Sequence, residues 1–421
     1  MNIKSCDNLL HNSEHITTLL FSMEGQLLSA ARPYLWLFAL LTLAPPPIFY
    51  KRSSRSRVFK RALYLCFACY TCCILLLGSY VTYVNVVTLF KEIELLHVQD
   101  FSNMLGLVQK LFYLVLLITI HVNMALQHGR LAGIYSQIAA LEQHITAAGQ
   151  HYGGLPKRTS FHYRLAARLG SWILICFTAF PRFTVPVLIM EWQDKILTEF
   201  IMLVLQFKCV EFSLFVILAE ELLQRLRHTL LQLQLELKHC EQSQLLHALC
   251  HALRRNRQLV SHVWLLVGEL ESYFMPPLLI FFLYNGQSML HVINWAYIQA
   301  LNPHDCCRYW RIGNIFILLV NILVPCLNSQ SCINTYNSFN RTLHKLRCGV
   351  DQLAPELLSM AQREYILQQE HLKLHFSCGG FFNINLKFFG GTLITLISFT
   401  IILIQFKLQL LFESKQSSRN S

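Results

Sequence analysis

Residues 388–406, FFGGTLITLISFTIILIQF, form a run of nineteen residues without a charged side chain. An α-helix needs about 20 predominantly apolar residues to cross the hydrocarbon core of a bilayer. This run therefore predicts a transmembrane helix near the end of the chain. Similar runs recur along most of the 421 residues, of which 54% are hydrophobic and only 14% charged. They leave no separate stretch for a soluble enzyme domain, so we predict one all-α integral membrane domain.

Seven segments have the length and apolar character of transmembrane helices. Five are clear, whereas the third carries Arg182 and the fourth carries Lys208 and Glu211. Lys208 and Glu211 are three residues apart on one helix, so we expect them to pair, either to neutralise each other or to contact a ligand. The predicted spans are about 62–84, 108–129, 169–190, 196–219, 272–298, 312–333 and 388–406.

An additional apolar stretch begins at Pro33 but reaches only Ala44 before three consecutive prolines at 45–47. Proline lacks the backbone donor that a helix needs, so this segment is too short to span the membrane. We interpret it as a short interfacial or re-entrant helix within residues 1–61. A true span is the less favoured alternative.

The distribution of Lys and Arg predicts the orientation of the bundle, because cytoplasmic loops carry the excess of these residues. With a cytoplasmic N-terminus, the inner segments contain 25 Lys and Arg residues and the outer segments contain 7. We therefore predict that residues 1–61 are cytoplasmic and that the tail 407–421 is extracellular. G-protein-coupled receptors have the opposite orientation, so the pattern argues against that class.

The net charge of +12 raises the question of a nucleic-acid partner. The basic residues are dispersed among the loops, however, and the one dense run, 51–61, lies beside a hydrophobic segment. Contact with anionic membrane lipid is the simpler interpretation of that run. We therefore expect membrane lipid, and no nucleic acid, as a partner.

Many of the fifteen cysteines lie within apolar runs. We expect one such group to consist of small buried apolar residues, although its CxxC spacings leave metal binding as a less favoured alternative; this group is Cys66, Cys69, Cys72 and Cys73. Cys306 and Cys307, in a predicted outer loop, are the candidates for a disulfide. The sequence contains no recognisable catalytic cluster, phosphate-binding loop or metal motif, so it predicts neither an enzyme nor a cofactor or metal site.

The segments between the later spans predict a cytosolic helical bundle. Residues 220–260 contain no Gly or Pro, so we expect one helix that continues out of the bilayer. Five of its leucines follow the 3 and 4 spacing of a heptad seam: Leu223, Leu226, Leu230, Leu233 and Leu237. Three others broaden the apolar face and favour the alternative of a helix on the membrane surface: Leu222, Leu231 and Leu235.

Residues 341–387 repeat this spacing at Leu343, Leu346, Val350 and Leu353. Gly349 and Pro355 predict an interruption of the helix there. We expect the extensions 220–260 and 341–387 to pack together and to lead into the last span.

The last span carries its polar side chains on one side. At about 100° per residue, roughly one third of the helix circumference contains what we call the polar stripe: Gly391, Thr395, Ser398, Phe399, Ile402, Gln405 and Phe406. Hydroxyl and amide groups are costly in contact with lipid, so the stripe should face protein or water. Packing between helices and the wall of a pore are the two interpretations.

The end of this span resembles the C-terminal signature of insect gustatory receptors. In that family the last span ends with Thr-Tyr, five hydrophobic residues and then Gln-Phe. Gln405 and Phe406 match this signature, whereas Ser398 and Phe399 stand where Thr and Tyr are usual, and the ring hydroxyl is lost. The chain length, the seven spans, the inner N-terminus and the long inner loop before the fifth span are also similar to this family.

The resemblance implies a gustatory chemoreceptor that acts as a ligand-gated nonselective cation channel subunit in the plasma membrane of gustatory receptor neurons. It implies a homo- or hetero-tetramer with other gustatory receptors, with no G protein required, whose last spans surround a central pore. By resemblance we assign five residues to the pore and gate: Gln405, Phe406, Ile402, Ser398 and Phe399. Bitter or otherwise aversive tastants are favoured, because the sugar and carbon dioxide subfamily patterns are not recognised in the sequence.

The resemblance also implies a ligand cavity among the second to sixth spans that opens outward. The candidate ligand-binding residues for a small-molecule tastant are Arg182, Trp295, Tyr297 and Trp310, because aromatic walls suit small amphipathic compounds. The alternative for the Trp and Tyr residues is the ordinary aromatic belt at the membrane surface. Alternatives for the whole chain are an insect odorant receptor subunit and, less favoured, a secondary transporter, for which no internal repeat is visible.

Overall fold

The computed structural model describes residues 25–47, 57–96, 100–150, 158–178, 191–298, 308–347 and 355–420. These residues form helices and contain no named strand; one isolated β-bridge joins Ser377 and Asn383. The helices are α1 (Gln26–Leu40), α2 (Arg57–Leu96), α3 (Asp100–Leu126), α4 (His128–Gln150), α5 (Arg158–Thr178), α6 (Trp192–Lys238), α7 (Ser243–Ile298), α8 (Arg308–Leu343), α9 (Pro355–His371) and α10 (Leu386–Asn420).

Six of the described helices are long and apolar enough to cross a membrane, namely α2, α3, α6, α7, α8 and α10. They coincide with six of the seven predicted spans. The third predicted span, 169–190, is described only as far as Thr178, where it forms the second half of α5; its remainder lies outside the described residues. The prediction of an all-α membrane protein is confirmed.

Helix α6 forms the centre of the bundle. In its most apolar window, 89% of the residues are buried inside the chain, whereas the corresponding values for α2 and α10 are 11% and 6%. Helix α6 packs against α7 and α8 along its length and also contacts α1, α2, α4 and α5. Helices α2 and α10 therefore lie at the outer surface of this chain, and α6 is surrounded by protein.

The predicted single helix 220–260 is wrong, because the chain turns back at residues 239–242 between α6 and α7. The two helices form an antiparallel hairpin, in which Asn256 Nδ2 of α7 donates to the Leu226 carbonyl of α6 at 3.0 Å. Each leucine of the heptad seam is at most 1% exposed, because the turn brings α7 over the seam. Leu231 and Leu235 remain exposed. The packed seam of α6 is therefore narrower than the full apolar face of this helix.

Helix α9 begins at Pro355, whose fixed φ angle suits the first turn of a helix. It packs against α7 through an ion pair between Arg257 and Glu364 at 2.6 Å and a hydrogen bond from Tyr365 Oη to Asn256 Oδ1 at 2.7 Å. Burial raises the pKa of Tyr365 well above its usual value, so the phenol stays protonated and can donate. Leu343 and Leu346 are buried, whereas Gly349 and the predicted seam residues Val350 and Leu353 lie outside the described residues.

A tight turn connects α9 to α10. Gly379 and Gly380 have φ angles of 62° and 79°, a region that glycine enters without the strain of a side chain. The hydrogen bonds Cys378 N to Phe382 O (2.8 Å) and Ile384 N to Phe376 O (2.7 Å) close the turn. This turn sets the direction in which α10 leaves the cytosolic bundle predicted from the sequence.

Helix α1 begins at Gln26, earlier than the predicted segment, and Pro33 lies inside it. Its first turn is held by the Glu142 carboxylate of α4, which accepts from the Leu27 backbone N–H at 3.0 and 3.1 Å. Arg225 of α6 donates to the same carboxylate at 3.0 Å. Residues 41–47 after α1 are buried among the other helices. The helix has 15 residues, fewer than the about 20 that a span needs, and its interfacial or re-entrant placement stays a prediction.

We expect the substitution Glu142→Gln to destabilise the docking of α1. The neutral amide cannot accept from the Leu27 N–H through two charged oxygens, and it no longer neutralises the charge of Arg225. We therefore expect the free energy of unfolding to fall by about 1–3 kcal/mol. The measurement is the thermal midpoint of the detergent-solubilised protein by size-exclusion fluorescence, together with protease sensitivity of α1. Glu356→Gln, at an exposed position of α9, is the matched control. Equal midpoints for both variants would contradict this role of Glu142.

Candidate functional site

Helix α10 packs against the rest of the chain through a narrow face. Leu396 and Leu403, seven residues apart, are 8% and 9% exposed, and α10 packs against α7 and α8. A heptad spacing keeps both side chains on one side of the helix, about 110° away from the polar stripe. The contact within the chain therefore leaves the stripe uncovered.

The polar stripe is exposed along most of its length. Thr395, Ser398 and Gln405 are exposed, Phe406 is 62% exposed, Ile402 is 47% exposed and Phe399 is half-buried. The described residues of the same chain therefore do not cover the stripe, and packing against a helix of another chain and the wall of a pore both stay predictions. A hydroxyl and amide surface of this kind is unfavourable in lipid, so it requires water or another protein chain.

A third face of α10 is exposed but purely apolar. It contains Ile394, Ile397, Ile401, Ile404 and Leu408, which are between 46% and 68% exposed. This isoleucine face suits lipid tails or an apolar partner. The helix thus presents three faces about 120° apart: one packed within the chain, one apolar and one polar.

A small pocket, lined partly by polar side chains and called the polar pocket below, lies between α2, α3, α6 and α7; its internal volume is about 20 Å³, room for about one water molecule. Its lining residues are Thr82, Asn85, Gln109, Lys110, Tyr113, Thr198, Met202 and Tyr284. The rings of Tyr113 and Tyr284 meet edge to face, with centroids 6.1 Å apart. None of these residues was among the ligand-binding candidates of the sequence analysis, so sequence reasoning missed this pocket.

Hydrogen bonds organise one wall of the pocket. Lys110 Nζ donates to Asn85 Oδ1 at 3.3 Å, and Asn85 Nδ2 donates to Thr198 Oγ1 at 3.1 Å. On the adjacent wall, Gln109 Nε2 donates to Ser288 Oγ at 3.2 Å. These contacts connect the four surrounding helices through polar groups rather than through packing alone.

Two buried polar atoms of the pocket remain without a hydrogen-bond partner among the residues that the structure describes, namely Gln109 Oε1 and Tyr113 Oη. Gln109 and Tyr113 are only 7% and 4% exposed. Unpaired polar atoms at such depth are uncommon and costly, and they point to a bound molecule, either water or a small ligand. The pocket therefore offers an acceptor, a phenol and an ammonium group to whatever occupies it.

The sequence matches the model of the 7tm chemosensory receptor family over residues 31–410. This chain belongs to that family. The receptor is 43% identical, over 390 residues, to the Drosophila melanogaster protein named as gustatory receptor 98b, an alignment that covers 92% of this chain and 96% of the relative. It is 39% identical over 390 residues to the one named as gustatory receptor 98c, covering 91% and 95%.

Among solved structures, the receptor resembles the insect olfactory receptor OR5 from Machilis hrabei, with a TM-score of 0.63 and 11% identity over 89% of this chain and 98% of that chain. The structure of the same olfactory receptor in complex with eugenol gives a TM-score of 0.59 over the same shares of the two chains. At this identity the likeness concerns the fold. The receptor therefore has the all-helical fold of an insect olfactory receptor.

The predicted ligand-binding residues lie toward the same end of the receptor's bundle or outside the described part. Trp295 and Tyr297 are in the last turns of α7, both partly exposed, and the Trp295 ring lies 6.3 Å from that of His291. They are two residues apart and so face different sides of the helix. Trp310 belongs to the first turn of α8, but its side chain is outside the described part of the structure. Arg182 lies entirely outside the described residues.

The predicted pairing of Lys208 with Glu211 is confirmed, with Nζ and Oε2 2.6 Å apart and both side chains fully buried. Lys208 Nζ also donates to the Leu43 carbonyl at 3.3 Å and lies 5.2 and 5.1 Å from the ring centroids of Tyr273 and Phe274. Because protein groups surround the ammonium on several sides, this arrangement favours mutual neutralisation over ligand contact.

A chain of buried amides holds four helices of the receptor together. Trp172 Nε1 of α5 donates to Asn321 Oδ1 of α8 at 3.0 Å, and Asn321 Nδ2 donates to Gln206 Oε1 of α6 at 2.6 Å. Gln206 Nε2 in turn donates to Asn285 Oδ1 of α7 at 3.2 Å. Asn285 directly follows Tyr284 of the pocket, so the amide chain fixes the register of the pocket wall.

We expect Lys208→Met to destabilise the receptor strongly, because it leaves the Glu211 carboxylate buried without its counter-charge. Removing one partner of a buried pair costs about 3–5 kcal/mol, whereas replacing both by apolar residues is often neutral. The double variant Lys208→Met/Glu211→Leu should therefore recover much of the thermal midpoint in detergent. Lys238→Met, at an exposed position on the same helix, is the control. A midpoint of Lys208→Met equal to that of the control would show that the pair does not stabilise the receptor.

Proposed function

We propose that this receptor is a subunit of a ligand-gated, nonselective cation channel in the plasma membrane of gustatory neurons. The observation that carries the proposal is the polar stripe of α10, which no other described part of the chain covers. Several copies arranged around an axis would place this stripe on a shared, water-filled path. The Drosophila relatives named as gustatory receptors support a role in taste.

The stripe has the chemistry of a weakly selective gate. Exposed Phe406 and Ile402 form a ring of bulky apolar groups in an assembly, and such a ring can close a pore by dewetting. Gln405, Ser398 and Phe399 lie on the same stripe, where the amide and hydroxyl coordinate a partly hydrated cation. Residues 388–406 contain no charge, so we propose little discrimination among cations. A homo- or hetero-tetramer with other gustatory receptors is the proposed assembly, and it needs no G protein.

The polar pocket is the proposed site for one polar group of the tastant, because its internal volume of about 20 Å³ has room for a group the size of a water molecule. Its ammonium, phenol and amide oxygen suit a small molecule that both donates and accepts hydrogen bonds. Ser288 lies seven residues before Trp295 on α7, about 10 Å along the helix axis, so the predicted aromatic residues would lie beyond the pocket toward the helix end. We propose Trp295 and Tyr297, with Arg182 and Trp310, as contacts at its entrance. Bitter or aversive compounds remain the favoured tastant class.

An insect odorant receptor subunit is the second candidate, because the fold is similar to that of a solved insect olfactory receptor. The taste role is favoured because relatives that share about two fifths of their residues with this chain are named as gustatory receptors. A ligand screen that includes candidate co-receptors separates the two roles by the class of compound that evokes current.

We expect Phe406→Ala to raise the basal current several-fold, because a smaller side chain hydrates the constriction. Gln405→Glu should raise the relative permeability of Ca²⁺, because it adds a ring of negative charge. Both are measured by whole-cell recording after expression with any required co-receptor. Ile404→Ala, on the isoleucine face, is the control and should leave permeation unchanged. Unchanged basal current and selectivity in both stripe variants, at normal surface expression, would reject the gate assignment.

We expect Tyr113→Phe to raise the half-maximal concentration of an activating tastant about 3- to 10-fold, which corresponds to the loss of one hydrogen bond. The ligand-free thermal midpoint should stay the same or increase, because the hydroxyl has no partner in the described structure. Tyr163→Phe, at an exposed position of α5, is the control. A dose–response curve identical to that of the control would place the tastant elsewhere.

A further inference from the structure

The first half of α2 carries a group of cysteines whose environment differs from the sequence prediction. Cys66, Cys69, Cys72 and Cys73 were expected to be buried, but all four are exposed on the outer surface of the bundle. By contrast, the described cysteines of the later helices, such as Cys209 and Cys326, are buried. The expectation of burial fails because lipid-facing and core-facing positions have the same apolar composition in a membrane protein.

The depth of these cysteines follows from the basic run that precedes them. Helix α2 starts at Arg57, and its candidate span begins at Arg61, where the side chain is exposed. At 1.5 Å per residue, Cys66 lies about 7.5 Å beyond Arg61 and Cys69 about 12 Å. Arginine keeps its head group at the membrane surface. Cys66 therefore lies near the boundary between lipid head groups and acyl chains.

The surroundings of Cys66 also mark this boundary. Phe59, Tyr64 and Leu65 are exposed beside it, and aromatic residues with a polar tip are enriched at membrane surfaces. The Tyr64 ring lies 6.4 Å from that of His128, at the junction between α3 and α4, which the charge distribution also assigns to the cytoplasmic side. The cysteines thus lie at the end of α2 that is predicted to be cytoplasmic.

Two of the four thiols are at a suitable depth and on a common side. Cys66 and Cys69 are separated by about 60° around the helix, and both point away from the packed side of α2. Cys72 and Cys73 lie about 16–18 Å beyond Arg61, which is more than half of the hydrocarbon thickness. The thioester of an acyl donor at the membrane surface is therefore nearest to Cys66, next nearest to Cys69, and farthest from Cys72 and Cys73.

We propose that Cys66, with Cys69 as a second acceptor, is a site of reversible S-acylation by a long-chain fatty acyl group. Exposed cysteines beside a membrane boundary and a basic run are the typical acceptors of this modification. The Cys66 thiolate attacks the carbonyl carbon of a fatty acyl-CoA thioester, and a new carbon–sulfur bond forms. The bond to the coenzyme A sulfur breaks, and coenzyme A leaves as the thiol with the proton that Cys66 lost. No electrons are gained or lost overall.

The acyl chain has a defined structural position. It extends along the outer surface of α2 toward Tyr70, whose hydroxyl donates to the Leu40 carbonyl at the end of α1 at 2.7 Å. An acyl chain beside this hydrogen bond shields it from water and from competing lipid head groups. The modification would therefore strengthen the contact between α1 and α2, besides fixing the depth of α2 in the bilayer.

The test uses the full-length receptor in insect cells fed with an alkyne analogue of palmitate. We expect a fluorescent label after click coupling, and neutral hydroxylamine should remove it because it cleaves thioesters. The double variant Cys66→Ser/Cys69→Ser should lose at least four fifths of the label per molecule of receptor. The matched control Cys72→Ser/Cys73→Ser changes the same residue type on the same exposed helix and should keep the label.

Three results would overturn the proposal: no hydroxylamine-sensitive label on the wild-type receptor, retention of the label in Cys66→Ser/Cys69→Ser, or equal loss in both double variants. An external N-terminus would give the first of these results, because acyl-CoA is cytoplasmic. Size-exclusion profiles of both variants in detergent verify that the serine substitutions leave the fold intact, so a lost label reports the site rather than misfolding.

Discussion

The rest of the structure depends on the burial of α6, a central helix that carries several charges. Each buried charge on α6 must find its partner inside the chain, because no water surrounds it. Lys208 and Glu211 neutralise each other, and Arg225 bridges Glu221 of its own helix and Glu142 of α4. Two arginines of α5, Arg164 and Arg168, pair with Glu221 and Glu220. The positions of α1, α4 and α5 around the bundle are therefore fixed by charge as well as by packing.

Six of the spans could be predicted from the sequence because the thickness of the bilayer sets the length of an apolar helix. The heptad leucines of α6 could be predicted because this end of the helix lies beyond its predicted span, where apolar residues mark the packed side. Within the membrane this signal vanishes, and so the exposure of Cys66 and the pocket around Tyr113 could not be read from residue type. The turn at 239–242 was missed for another reason. It is stabilised by the packing of α7 against α6, and the sequence of the turn itself does not reveal this packing.

The two outer helices, α2 and α10, have similar burial and different surfaces. Helix α2 presents aromatic and cysteine side chains near one end, as expected for contact with lipid. Helix α10 combines an isoleucine face with a stripe that contains Ser398 and Gln405. Residue composition alone does not separate these cases, since both spans are mainly apolar. The angular position of a few polar groups distinguishes a helix that only meets lipid from one that also requires a hydrated or protein surface.

The contacts of α1 constrain the order in which the chain can reach its final structure. Glu142, which holds the first turn of α1, follows Leu27 by 115 residues, and Lys208, which binds the Leu43 carbonyl, follows Leu43 by 165 residues. At about 5–20 residues per second of synthesis, roughly 8–33 s separate the appearance of Leu43 from that of Lys208. Until α4 has been synthesised, α1 lacks Glu142, and until Lys208 appears, the Leu43 carbonyl beside Thr42, whose φ angle is 56°, lacks its donor. The first of the described helices to be synthesised therefore gains the last of these contacts only after α6 has been made.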